Sequence, residues 1–171
     1  MVTRPERPGP GAWHGMDIRN LSFGSTAAIV TSMGLIVGFD AATTSKKALI
    51  GSLLIVAFAD NLTDSLSVHI YQEAERLPEK DAFRTTTANF FARLSVSMSF
   101  VFILVAFPGS TSTYLCLTWG FLQLSVLSYL LAKARGVRAF PEIWKHSAVA
   151  VIVIAMSKVI GFAIARMTGV M

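Results

Sequence analysis

Charge and cysteine are scarce in this chain. Of its 171 residues 15 are Lys or Arg and 10 are Asp or Glu, so 15% are charged and 53% are hydrophobic. An ordinary soluble domain carries about a quarter charged residues. The single cysteine, Cys116, excludes an intrachain disulfide and any CxxC-type metal or redox centre; it reads as a small apolar filler. Gly-rich phosphate loops, HExxH and the G-x-S-x-G elbow are missing, so no enzyme and no bound cofactor is expected. Basic residues are scattered without interleaved aromatics, which argues against nucleic acid. The six prolines fall at the head of the chain or between apolar runs, never within one.

Apolar runs about as long as a bilayer is thick dominate the remainder. Roughly 20 residues at a rise of about 1.5 Å cross the hydrocarbon core, and the mean hydropathy is +0.58. The spacing predicts an all-α, polytopic membrane protein of five transmembrane helices, over about 21–39, 48–72, 87–107, 112–132 and 147–165. Residues 1–18 read as a flexible cytoplasmic tail. Its start, MVTRPERPGPGAWHG, has no apolar core and is not a signal peptide. Residues 19–171 form the membrane domain. The stretches 73–84 and 133–145, broken by Pro78 and Pro141, are expected to be loops, and Pro108-Gly109 a tight turn.

The net charge of +5 has a membrane explanation, because basic residues concentrate in loops that stay in the cytoplasm. Arg4, Arg7 and Arg19 precede the first span. Arg76, Lys80 and Arg84 lie between the second and third, and Lys133, Arg135, Arg138 and Lys145 between the fourth and fifth. The other side holds Lys46, Lys47 and Arg166. The bias predicts a cytoplasmic N-terminus and an outside C-terminus, in a cell membrane.

Asp60 and Asp64 lie inside the second span, four residues apart and on one helix face. An acidic residue at the bilayer centre costs about 2.5–3.5 kcal/mol on insertion scales, so the pair must face protein, water or a cation. Asp60, Thr63, Asp64 and Ser67 follow the i, i+3, i+4, i+7 pattern. Their oxygens suit Mg, Ca, Mn or ferrous iron, and intramembrane carboxylates also serve proton relays. Thr26, Thr31 and Met33 of the first span are secondary candidates. Lys158, at similar depth in the fifth span, can pair with Asp60 or Asp64, act as a gate, or snorkel to the interface. Arg93 is read as lying near the cytoplasmic end of its span. Glu73 and Glu75, with His69 nearby, can gather cations at a cytoplasmic mouth or form a solvated helix end. Gly34 and Gly38 make a GxxxG pattern, suited to a dimer face or a tight internal crossing.

These residues carry a resemblance. RNLSFGSTAAIVTSMGLIVG resembles the first span of the vacuolar iron transporter family at Arg19, Phe23, Gly24, Val30, Gly34, Leu35 and Gly38. AFADNLTDSLSVH is similar to that family's second span at Ala59, Asp60 and Leu62, with Thr63 for Ser. The chain departs from the pattern where Ala27-Ala28 replaces the first-span Asp-Gly, Asp64 takes a Met position and Ser67-Val68-His69 replaces Gly-Glu-Tyr. The resemblance implies a homodimer that moves ferrous iron or manganese out of the cytoplasm, in exchange for protons. From another class comes a non-transporting membrane scaffold whose Asp–Lys pairs are structural.

Overall fold

The computed structural model describes residues 18–43, 45–74 and 78–169, with the side chains of 18–23 and 81 outside that description. The N-terminal tail, Glu75 and Arg76 therefore lie outside the described residues. Five helices make up the fold: α1 (Ile18–Ala42), α2 (Lys46–Ala74), α3 (Glu79–Ala106), α4 (Gly109–Ala134) and α5 (Ala139–Thr168). All five are long and apolar enough to cross a membrane, and the described residues include no strand.

Two expected loops turn out to be mostly helix. α3 starts directly after Pro78, and α5 directly after Arg138 with Pro141 in its first turn. Proline is tolerated there because the first-turn amides have no intrahelical partner, and its fixed φ suits a helix start. The charges of 79–84 and 139–145 thus ride on helix ends. The turn at Phe107-Pro108 is as short as expected, and Lys46 Nζ donates to Phe107 O at 2.5 Å beside it. Ser45 directly precedes α2, its hydroxyl accepting from the Ala48 amide at 3.3 Å. Gly169 closes α5 in the left-handed region, φ 69°.

α1 is the axis of the bundle. It packs against each of the other helices, which touch one another only in the order α2, α3, α4, α5; among the described residues α2 and α5 do not meet. The core gathers Ile29, Met33, Ile36, Leu53, Phe100, Leu104, Cys116 and Leu124. Gly34 and Gly38 are spent inside the chain: both lie against Ser157 of α5, and a methyl on the facing Gly161 would strike the Gly38 carbonyl. The GxxxG face is the tight α1–α5 crossing, so it is not open to a second copy. Ser128 ties α4 to α5. Its hydroxyl donates to Leu124 O at 2.6 Å, so His146 Nδ1, 2.8 Å away, is the donor to it. The outer faces are largely apolar, with Ile55, Leu62, Phe102, Leu122, Ile152 and Val159 all exposed.

Candidate functional site

Asp60 and Asp64 project from the middle of α2, and their partner is Arg93, from the middle of α3. Its side chain is 1% exposed. Nη2 donates to Asp60 Oδ2 at 2.5 Å, and Nη1 lies 3.1 Å from Asp64 Oδ2 and donates to Gly24 O at 3.0 Å. Nε donates to Asn61 Oδ1 at 2.9 Å. Asn89, one turn before Arg93, donates to Asp64 Oδ2 at 3.1 Å. The planar guanidinium fork suits this task because it satisfies several acceptors at fixed angles. One side chain thereby joins α1, α2 and α3. Gly24 leaves room for this crossing, since a methyl on it would collide with Asn89 Oδ1 and crowd Arg93 Cδ, and both side chains would have to shift.

Arg93 is the residue that the sequence reading misplaced. With a span expected from 87, it fell near an end; with α3 starting at Glu79 it lies at the centre. A signal was present. Thr86, Asn89, Arg93 and Ser97 recur at helical spacing, opposite Asn61, Ser65, His69 and Gln72 on α2. Lys158 is correspondingly not the partner of either aspartate. It lies on the exposed side of α5, its Nζ 5.8 Å from the centre of the Phe162 ring.

The other candidates do not converge on the aspartates. Thr63 and Ser67 are exposed, and their hydroxyls donate to Ala59 O and Thr63 O of their own helix at 2.8 and 2.9 Å. Such i−4 bonding is the ordinary state of a hydroxyl on an apolar helix. Met33 is fully buried against Gly120 and Phe100 in the core. Thr26 is half-buried on α1 and has a partner of its own. Glu73 pairs along α2 with His69, 3.5 Å away. Among the described residues no three His, Cys, Asp or Glu side chains converge as a metal site. Thr31, Ser32, Asp60, Asn61 and Ser97 do line one small void of about 10 Å³ between α1, α2 and α3, room for a single water or bare ion.

With both aspartates ionised the cluster carries a formal charge of −1. Asp64 is 24% exposed and Asp60 47%, so Asp60 is the open side of the site. Burial on α2 and α3, in the cluster and along the helices beside it, leaves six side-chain atoms without a protein partner: Asn61 Nδ2, Ser65 Oγ, His69 Nδ1, Gln72 Oε1, Thr86 Oγ1 and Asn89 Oδ1. An unmet buried polar group costs about 1–3 kcal/mol. Six would cost about 6–18 kcal/mol, as much as the whole stability of a typical domain at about 5–15 kcal/mol.

No family model, no curated protein and no solved structure matches this chain. Fold and site define a class: an all-helical bundle of five helices long and apolar enough for a membrane, with a buried arginine bridging two partly exposed aspartates.

Proposed function

We propose that this protein is a membrane cation carrier whose exchange centre is the Asp60–Asp64–Arg93 cluster. One observation carries the reading: two carboxylates midway along an apolar helix share one buried guanidinium, leave a net negative charge, and keep one carboxylate half-open. The likeness of the first two spans to the iron/manganese exporters favours ferrous iron or manganese as substrate, moved out of the cytoplasm against protons. Hard carboxylate oxygens from Asp60 and Asp64 suit such ions. In the membrane of the cell, the N-terminus is cytoplasmic and the C-terminus outside, by the placement of Lys and Arg. A homodimer, as in that family, forms through a face other than Gly34 and Gly38.

A second reading is favoured by how fully Arg93 is bonded. Contacts to Asp60, Asp64, Asn61 and Gly24 also suit a structural lock in a membrane scaffold. Flux separates the two. Purified protein in proteoliposomes should take up ferrous iron or manganese with opposing proton movement, and an Asp60→Asn, Asp64→Asn, Arg93→Met variant should fold yet carry nothing. Absence of flux of either metal from folded protein, or equal flux through the variant, rules out the carrier reading.

A further inference from the structure

Polar atoms without protein partners are concentrated in one place. Of the seven buried ones among the described residues, five lie on the facing stripes of α2 and α3; Asn89 Oδ1 lies at the head of that seam against Gly24 of α1, and the seventh belongs to Gln123. Ser128, buried between α4 and α5, is by contrast met by Leu124 O and His146. Asn61, Ser65, Gln72 and Asn89 are each at most 5% exposed, so bulk solvent does not reach them across the bundle surface. The hydrogen-bond network fixes two orientations. Arg93 takes the Asn61 oxygen, so the Asn61 amide presents a free donor; Asn89 donates to Asp64, so its oxygen is a free acceptor. Donors and acceptors are thus staggered from the Arg93 cluster to Gln72, over about 17 Å at a rise of about 1.5 Å per residue. Past the cluster and the small void that Thr31, Ser32 and Ser97 line beside it, the lining changes. The next buried residues of α2 are Ala57, Leu53 and Leu49, and α3 offers Phe100 and Leu104 beyond Ser97.

We propose that the α2–α3 seam binds a file of water molecules that runs from the Ala74/Pro78 end of the bundle to the Arg93 cluster and stops there. Water is the ligand this chemistry selects. Each atom needs one small partner able to donate and accept, and a buried water makes about three such bonds. The file gives the cluster an aqueous connection at one end, closed at the other by the apolar layer of Leu49, Leu53, Phe100 and Leu104. It stands independently of what the cluster carries, since the unpartnered atoms call for water under either reading of function.

Water-edited solid-state NMR of isotope-labelled protein in lipid bilayers tests it. Magnetisation from water should reach Ser65 and the Asn61 side chain several times faster than it reaches Ser128, an equally buried serine whose bonds are complete. In a Ser65→Leu variant, the isobutyl group should cut transfer to Asn61 several-fold while Gln72, nearer the open end, keeps its signal. Unchanged Gln72 and His146 signals report that the variant is folded; if it is not, the wild-type comparison with Ser128 decides alone. Build-up at Ser65 and Asn61 no faster than at Ser128 overturns the proposal, and so does unchanged transfer to Asn61 in a folded Ser65→Leu protein. A failed metal-flux assay beside a hydrated seam overturns only the carrier reading.

Discussion

Arg93→Met removes the guanidinium and keeps a long apolar side chain. The loss can be worked from the contacts. Breaking a buried ion pair from one side costs about 3–5 kcal/mol, because the partner charge stays behind. Here two carboxylates stay behind, and the acceptors Asn61 Oδ1 and Gly24 O lose their donor. One feature limits the sum: Asp64 retains the Asn89 amide. The expected net loss is about 3–5 kcal/mol, a third or more of a typical stability of about 5–15 kcal/mol. Adding Asp60→Asn and Asp64→Asn neutralises what was stranded and should recover all but about 1–2 kcal/mol, since neutral replacements of buried ion clusters are often tolerated. Reversible unfolding of the purified proteins in mixed detergent micelles measures both. A loss below about 1 kcal/mol for Arg93→Met, or a triple variant no more stable than the single one, refutes the assigned pairing.

Four further outcomes follow from the same geometry. Asp64→Asn should destabilise more than Asp60→Asn in that unfolding assay, because Asp64 is the more buried and also holds Asn89; the reverse order would mean Asp60 is the principal anchor. Gly161→Ala should cost about 1–3 kcal/mol, the usual range for overpacking, as its methyl meets the Gly38 carbonyl and Ala41 Cβ. Thr63→Val and Ser67→Ala should leave cation flux, where it is found, unchanged, since those hydroxyls bond to their own helix; a lost flux would return them to the site. Lys158→Gln should change stability by no more than about 0.5 kcal/mol, as for exposed positions without special partners, whereas a large loss would reveal a carboxylate partner on a second copy.

Helix number and identity were readable because the apolar runs are long and the turn at Pro108-Gly109 is unambiguous. Helix starts were less so. Pro78 and Pro141 look like breaks in a linear reading, yet both sit where a helix begins and proline does no harm. That shift of α3 carried the largest consequence, because it moved Arg93 from a helix end to the centre. Asp60 and Asp64 were legible as a pair by their spacing alone. Their cation was not, since spacing within one helix says nothing about which neighbour faces it, and by depth Lys158 stood as the candidate while Arg93 stood near a helix end. Packing decided between them: α2 lies against α3 and does not touch α5. The same fact explains Gly34 and Gly38, whose pattern fits a dimer and an internal crossing equally until Gly161 is placed opposite.

Arg93 also bears on which of the two proposed roles the cluster can play. Coulomb attraction scales with the product of charges, so a divalent ion is held half as strongly by a net charge of −1 as by −2 at the same distance and dielectric. A guanidinium already within hydrogen-bond reach of both carboxylates therefore acts as an internal competitor for any metal. On the carrier reading, loading a divalent ion requires the Arg93 fork to give up a carboxylate. The geometry singles out the Asp60 contact, because Asp60 is the more exposed partner and borders the small void, while Asp64 is held from a second side by Asn89. On the scaffold reading the fork never lets go. The two readings thus differ at one bond, Arg93 Nη2 to Asp60 Oδ2, and a carrier must pass through a state in which that bond is open.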